Sequence, residues 1–531
     1  MTAPAAPAPA VPGMVTLSIE GRTVSVAPGT SILEAAKHAG ILVPHYCYHP
    51  SLPVAGVCRM CLVEVEKFPK LAPACATAVG EGQVVHVHSD KAREARKGVL
   101  EFLLINHPLD CPVCDQAGEC ELQDYTFAEG RKDSRYLEPK RFNPMEDFGG
   151  DVLYVPNRCI LCTRCVRFMD AVAHEPVLNV SERGDRAFIG RDPGADLTHA
   201  WAGNVVDLCP VGALLSKDFL NKARAWELDR TASVCPGCSQ GCNIMVETRD
   251  ETVVRLRPRP NADVNVHFMC DTGRLDYRWL NRRDRLEYPM VRDAGGALVA
   301  TDWDAAVSRA AALVRGAGRV VVLASPSLSN EALFVLGTAA DAVGAPKRYV
   351  LPRGPEAPLA GVKDLALRAE RAANHTGAER LGYGEAQAPF DGLGAGDVVV
   401  VADEHLLALQ PLALPAGVTA IVAGTVVPAW AADACAVALP ITTFAEEEGT
   451  FTNLRGRVQR YVQAKTPPTL ARPGFLVLGE LAAALGAPRP APLASAVFDA
   501  LADTVPAFTG LRWARLGLRG LPLLEPAEVG A

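Results

Sequence analysis

Fifteen of the sixteen cysteines in this 531-residue chain fall between Cys47 and Cys270, and only Cys435 lies beyond them. This crowding constrains the fold more than any other feature, because the chain must bring the thiols together around something. In a reducing compartment closely spaced cysteines serve as metal or redox ligands rather than as a disulfide framework. The opening stretch MTAPAAPAPAVPG has neither the basic start nor the apolar core of a secretory signal, and residues 1–13 read as a disordered Ala/Pro tail. Cytosolic metal ligation is the expectation.

The fifteen cysteines fall into four groups. Cys47, Cys58, Cys61 and Cys75 are separated by ten, two and thirteen residues, three ligands near one loop and the fourth beyond a strand. That layout resembles a plant-type 2Fe-2S ferredoxin with a longer first interval. His107, Cys111, Cys114 and Cys120 set one imidazole beside three thiols, so His107 is the candidate fourth ligand of a 4Fe-4S cluster. A neutral imidazole in place of a thiolate removes one negative charge and raises the potential. Cys159, Cys162 and Cys165 form a Cys-x-x-Cys-x-x-Cys run that takes Cys209, followed by Pro210, as its remote fourth ligand, the bacterial 4Fe-4S ferredoxin pattern. Cys235, Cys238 and Cys242 with Cys270 repeat the theme of three near and one far. The expected cofactors are one 2Fe-2S cluster and three 4Fe-4S clusters. Zinc is the competing reading, although structural zinc sites usually use two separated Cys-x-x-Cys pairs, whereas three of these groups hold tight triplets.

Around these groups the pattern predicts several domains of α+β and α/β type. Apolar residues alternate over 15–26 about Gly21, a hairpin signature, and Ser31-Ile-Leu-Glu34 is a capping box for a short helix ended by Gly40. Further strands at 61–66 and 84–88 complete a small sheet domain over 14–92. A helix is expected from about Asp90 to Asn106 with Val99, Leu100, Leu103 and Leu104 on its apolar stripe. It opens the His107 segment, 93–135. Residues 129–157 lack clear periodicity and read as a linker or domain crossing. A 4Fe-4S ferredoxin-like domain spans 150–229, and a further 4Fe-4S domain spans 231–276. Beyond it, apolar runs at 320–323, 398–401 and 420–423 separated by helical patterns predict a parallel α/β region over 277–531.

The run Asn106-His-Pro-Leu-Asp-Cys-Pro-Val-Cys-Asp-Gln-Ala-Gly-Glu-Cys120 and the run Arg158-Cys-Ile-Leu-Cys-Thr-Arg-Cys-Val-Arg167 resemble the large iron-sulfur subunit of bacterial respiratory complex I, the NADH:quinone oxidoreductase. Glu446-Glu-Glu-Gly-Thr-Phe-Thr-Asn-Leu-Arg-Gly-Arg-Val-Gln459 resembles a signature of the molybdopterin-oxidoreductase fold, which this family carries without a working molybdenum site. The resemblance implies an N-terminal β-grasp 2Fe-2S domain, the His/Cys segment, the 4Fe-4S domains and a shortened molybdopterin-type C-terminal region. It implies electron transfer from a flavin/NADH subunit towards a quinone-proximal iron-sulfur subunit, on the cytoplasmic side of the membrane, with no self-contained catalytic site and no molybdenum. The Cys47, His107 and Cys159 groups resemble main-path carriers. The Cys235 group resembles an extra cluster off that path.

Other functions are disfavoured by particular residues. A net charge of −7 argues against nucleic-acid binding. The uncharged run 411–432 is interrupted by Pro411, Pro415, Gly417, Gly424 and Pro428, so it reads as buried α/β core rather than a membrane span. A molybdenum formate dehydrogenase is the alternative enzyme, but it needs a ligating Cys early in its molybdopterin region. Cys435 reads instead as a small buried hydrophobe. Iron-only hydrogenase chemistry would need several C-terminal cysteines. A scaffold role leaves the number of cluster sites unexplained. Gly392-Leu-Gly-Ala-Gly396 precedes its strand, the wrong order for a dinucleotide fingerprint. His38, His45, His49, His86, His88 and His267 are expected to be structural or at the surface, with His45 and His49 close enough to Cys47 in sequence to reach its cluster.

Overall fold

A computed structural model describes residues 13–524, so the tail expected over 1–13 lies almost wholly outside the described residues. The chain divides into two compact units, residues 1–227 with 359–363, and residues 228–358 with 364–531.

The first unit begins with strands β1 (Val15–Ile19) and β2 (Arg22–Val26), paired antiparallel about Glu20 and Gly21, which both adopt positive φ (48° and 76°) as a tight hairpin of this hand requires. Helix α1 (Ile32–His38) is capped by Ser31, whose hydroxyl accepts the Glu34 N–H at 3.2 Å. Strands β3 (Leu62–Val65), β4 (Ala72–Pro73) and β5 (Val84–His86) complete a five-stranded sheet of order β2-β1-β5-β3-β4, in which β1 and β5 run parallel. Leu17, Ile19, Val63, Val65 and Val85 close one core with Ile32, Leu33, Ala35 and Ala36 of α1. The mixed sheet with one packed helix is the expected β-grasp arrangement.

Helix α2 (Asp90–Leu104) follows its Ser89 cap. Its buried face differs from the predicted stripe: Leu100 is fully buried, Val99, Leu103 and Leu104 are only half-buried, and Ala92 and the charged Arg96 are fully buried beside Leu100. Arg96 pairs with Glu129 and donates to the Val87 carbonyl at 2.9 Å, so this buried charge has a counter-charge and a carbonyl partner. Helix α3 (Glu121–Glu129) leads into the segment read as a linker. Residues 130–145 carry no helix or strand, but over 146–154 that reading is corrected: β6 (Glu146–Gly149) and β7 (Val152–Tyr154) form a hairpin, and β10 (Leu214–Ser216) pairs with β7 on its other side. Helix α4 (Arg164–Ala171), the hairpin of β8 (Leu178–Ser181) with β9 (Phe188–Arg191), and helix α5 (Asn204–Leu208) finish this module. The segment 359–363 also belongs to this unit, where the Gly361 N–H donates to the Val172 carbonyl at 2.7 Å.

The second unit opens with an antiparallel meander of β11 (Asp229–Val234), β12 (Asn243–Arg249) and β13 (Thr252–Pro258), then the short helix α6 (Asp271–Leu275). Strands β14 (Met290–Arg292) and β15 (Leu298–Ala300) precede helix α7 (Trp303–Gly316), strand β16 (Val320–Ala324), helix α8 (Asn330–Ala342) and strand β17 (Lys347–Tyr349). A two-stranded ladder of β18 (Ala357–Pro358) and β19 (Ala366–Leu367) and helix α9 (His375–Arg380) come next. Strands β20 (Gly384–Glu385), β21 (Val398–Asp403), β22 (Thr419–Gly424) and β23 (Cys435–Pro440) complete an eight-stranded sheet of order β15-β14-β23-β22-β21-β16-β17-β20, parallel from β23 to β20. This is the expected α/β region, with continuous Val runs buried on both faces. A three-stranded sheet of β24 (Gly449–Thr452), β25 (Arg457–Tyr461) and β26 (Leu521–Pro522) lies in the same unit with helices α10 (Gly474–Ala484), α11 (Ala494–Thr504) and α12 (Trp513–Leu516). The uncharged run 411–432 is only partly core: residues 420–425 are buried with β22, whereas Pro411, Ala413, Ala416 and Gly417 are exposed. Among the described residues no helix is long and apolar enough to cross a membrane.

Candidate iron-sulfur sites

The first group sits beside the N-terminal sheet. Cys47 lies in the loop after α1, Cys58 and Cys61 precede β3, and Cys75 follows β4; all but the half-buried Cys58 are buried. Hydrogen bonds from the Cys58 and Cys75 thiols hold Cys47 well below the ordinary thiol range, and Cys75 does the same to Cys61, so the four sulfurs occupy one site. The Cys47 N–H approaches the Cys58 sulfur at 3.4 Å, and Arg59 takes a left-handed φ of 57° between the paired cysteines. His45 turns its Nδ1 to the Val43 carbonyl at 2.7 Å, while the His49 Nδ1 accepts the Ser51 N–H at 3.2 Å.

In the second group His107 leaves the end of α2, exposed Cys111 begins a single turn, and buried Cys114 and Cys120 follow, Cys120 directly before α3. Burial, with Lys140 and Arg158 nearby, pushes the His107 imidazole down to about 4, so it stays neutral, the form that ligates a metal. Its buried Nδ1 has no hydrogen-bond partner among the described residues. Cys111 with Cys114, and Cys114 with Cys120, interact electrostatically; the charged neighbours of His107 are Lys140, Arg158 and Asp110. Burial raises the Cys120 thiol to about 11.

The third group lines a single cavity with Tyr154, Arg164 and Ile189, into which all four of Cys159, Cys162, Cys165 and Cys209 face. Burial raises Cys159 to about 11 and Cys162 to about 12. Leu161 and Thr163 adopt left-handed φ of 53° and 60°, uncommon for side chains of this bulk, and this coiling turns backbone N–H groups inward as an anion nest does. The Leu161 N–H lies 3.4 Å from the Cys159 sulfur, and Val211, Ala213 and Leu214 offer theirs to Cys209.

The fourth group belongs to the second unit. Cys235 and Cys242 flank the turn between β11 and β12, Cys238 lies inside it, Cys270 precedes α6, and all four are buried. The Cys235 N–H donates to the Cys242 carbonyl at 2.8 Å, and the Gly273 N–H approaches the Cys270 sulfur at 3.4 Å. A Cβ on Gly273 would lie 3.0 Å from the Cys235 sulfur and 3.5 Å from that of Cys270, so glycine leaves room at the sulfurs.

Four groups of thiols, a buried neutral imidazole at His107 whose Nδ1 is unanswered, and inward-facing N–H groups around the Cys159 set fit iron-sulfur clusters in donor chemistry. Among the described residues no three His, Cys, Asp or Glu side chains close on a single metal ion. Cys435, in β23, is fully buried. Cysteine spacing gives no hint of the arginines among these loops. Arg158 pairs with Asp110, and Arg224 donates to the Cys114 carbonyl at 2.7 Å. The position of Arg158 directly before Cys159 was the available signal, and Arg224 has none.

Comparison with known proteins follows the same divisions. Residues 13–90 match a 2Fe-2S iron-sulfur cluster binding domain, 96–135 the NADH-ubiquinone oxidoreductase-G iron-sulfur binding region, and 149–215 the ferredoxin-like domain of NADH-quinone oxidoreductase subunit 3. Residues 228–282 match the molybdopterin oxidoreductase Fe4S4 domain and 393–484 molybdopterin oxidoreductase. The chain is 40% identical over 333 residues to the G-type subunit of the NADH-quinone oxidoreductase of Rickettsia bellii, a match that covers 62% of this chain and 49% of that protein. It is a relative of the large iron-sulfur subunit of complex I. The mitochondrial NADH-ubiquinone oxidoreductase 78 kDa subunit of Candida albicans is 45% identical over 300 residues, 56% of this chain and 41% of that protein. The chain therefore matches about half the length of these two relatives. A solved NAD+-reducing [NiFe]-hydrogenase chain is 29% identical, covering 39% of this chain and 90% of its own, with a TM-score of 0.36. By its domain matches the chain carries both 2Fe-2S and 4Fe-4S cluster-binding domains. The relatives named do not favour the formate dehydrogenase alternative.

Proposed function

We propose that this chain is an electron-carrying iron-sulfur subunit of an NADH:quinone oxidoreductase, receiving electrons from a flavin/NADH subunit and passing them towards a quinone-proximal iron-sulfur subunit at the cytoplasmic face of the membrane. Cys47, Cys58, Cys61 and Cys75 hold a 2Fe-2S cluster. His107, Cys111, Cys114 and Cys120 hold one 4Fe-4S cluster, Cys159, Cys162, Cys165 and Cys209 a second, and Cys235, Cys238, Cys242 and Cys270 a third. The clusters supply reversible one-electron storage when bound.

What the chain contributes is placement and electrostatics. Burial keeps water from the Cys159 set, and inward N–H groups stabilise negative charge on its sulfurs. The unpartnered Nδ1 of His107 provides a neutral donor, making that site less negative than a four-thiolate one. The observation that carries the proposal is the convergence of Cys159, Cys162, Cys165 and Cys209 on one cavity, although Cys209 comes from beyond α5.

Anaerobic purification of the full chain tests it. Iron and acid-labile sulfide for one binuclear and three tetranuclear clusters, matching low-temperature paramagnetic signals on reduction and no molybdenum are expected. A colourless preparation lacking sulfide overturns it. In the assembled complex, Cys162→Ala is expected to lower NADH-to-quinone electron flow.

A further inference from the structure

Helix α4 carries two arginines three residues apart, Arg164 and Arg167, a spacing that sets them side by side on one face of the helix. Both reach far along the chain. The nearly buried Arg164 donates through Nη2 to the Tyr48 carbonyl at 2.9 Å and through Nη1 to the Leu208 carbonyl at 3.2 Å. The same guanidinium faces the Glu121 carboxylate at 3.4 and 3.5 Å. Arg167 donates through Nη2 to the carbonyls of Cys47 and Cys162, the latter at 3.2 Å, and through Nη1 to the Pro53 carbonyl.

These partners have a common property. Tyr48 follows Cys47, Glu121 follows Cys120, Leu208 precedes Cys209, and Arg164 itself precedes Cys165. Two adjacent guanidinium groups thus grip backbone beside ligands of the Cys47 and Cys159 groups and, through the Glu121 carboxylate, a side chain next to a ligand of the His107 group, all in the first unit. A surface arginine would satisfy itself with water; these direct their donors to main-chain carbonyls more than a hundred residues away in sequence at Tyr48 and Cys47.

We propose that Arg164 and Arg167 are positioning residues that fix the Cys47, Cys120 and Cys159 loops in one geometry and bias the potentials of their clusters upward. The proposal rests on the electron-carrier reading above. A guanidinium remains charged at any working pH, and its planar fork holds two carbonyls at a defined separation, which a lysine point charge does not. Cluster potential responds to net charge and hydrogen bonding around the sulfurs, so a fixed cation between two negatively charged sites makes reduction of both easier.

The test uses the intact complex with Arg167→Gln and Arg167→Lys, read by iron and sulfide content, potentiometric electron paramagnetic resonance and the magnetic interaction between the binuclear and Cys159-group signals. Arg167→Gln is expected to keep its iron, to lower both midpoint potentials together and to alter the interaction. Arg167→Lys is expected to restore the potentials but not the interaction. Both variants matching wild type with full iron would overturn the proposal. If iron is lost, loss from both sites together supports the clamp, and loss confined to one site overturns it. Absence of these signals from the wild-type complex would instead overturn the electron-carrier reading, so the two failures are distinct.

Discussion

A Cβ placed on Gly212 would stand 2.2 Å from the sulfur of Cys114, and 3.1 Å from the Cβ of Gln116. Gly212 follows the Cys209 ligand by three residues, whereas Cys114 belongs to the His107 group. Neighbouring backbone is tied the same way, since the Glu121 N–H donates to the Pro210 carbonyl at 3.1 Å. One glycine thus packs the wall of one candidate site against the sulfur of another.

Gly212→Ala is therefore expected to displace Cys114, because the approach is far inside contact distance. Overpacking of this kind costs about 1–3 kcal/mol. Iron analysis with paramagnetic resonance should show loss or broadening of the His107-group signal while the Cys235-group signal, in the second unit, persists. A wild-type spectrum would refute the close packing.

His107→Cys exchanges a neutral donor for a thiolate. The added negative charge should lower the midpoint potential of that cluster alone, as measured by redox titration. His107→Ala should instead deplete its iron. An unchanged potential in an iron-replete His107→Cys chain would remove the imidazole from the ligand set.

The fully buried Arg96 gives a stability prediction. Glu129→Gln leaves its guanidinium without a counter-charge and should destabilise the surrounding structure by about 3–5 kcal/mol. The double variant Arg96→Met with Glu129→Met should recover much of that loss, because neither charge then remains buried. Amide exchange in β3 and β5 measures both.

In the second unit, burial pushes the Glu331 carboxyl up to about 8 from an ordinary value of 4.5. Between those values the folded chain retains a proton that the unfolded chain has released, so stability is complete below about pH 4.5 and declines as pH rises towards 8. Glu447, raised to about 7 by burial, contributes in the same direction. Glu331→Gln should flatten this decline. Amide exchange of α8 and β24 across pH 5–8 checks it, since the Thr450 N–H donates to Glu331 at 2.9 Å; a slope equal to wild type would count against the retained proton.

Cysteine spacing made the four candidate sites legible because ligand groups are chemically distinctive and locally clustered. The Ser31 cap and the Gly21 hairpin were equally readable, since each is a local rule satisfied by local residues. The apolar runs of β16, β21 and β22 announced a parallel sheet for the same reason. What escaped depended on distant partners. The β6–β7 hairpin is short, bends at Gly149 and Gly150 and gains β10 from far along the chain, so no periodicity marks it. Arg96 reads as a surface residue until Glu129 is seen against it. The left-handed Arg59, Leu161 and Thr163 are invisible in a sequence because nothing about those residue types calls for that conformation; the sulfurs around them do.

The return of the chain at 359–363 bears on how the first unit is completed. A Cβ on Gly361 would fall 2.6 Å from both the Ala171 carbonyl oxygen and the Val172 Cα, hard against the end of the helix that bears Arg164 and Arg167. During biosynthesis the ribosome releases every cysteine of that unit long before it releases Gly361. A nascent chain halted after Glu227 therefore holds all of that unit's candidate iron ligands but lacks the last piece that packs upon their clamp, and an expression fragment cut there inherits the same gap.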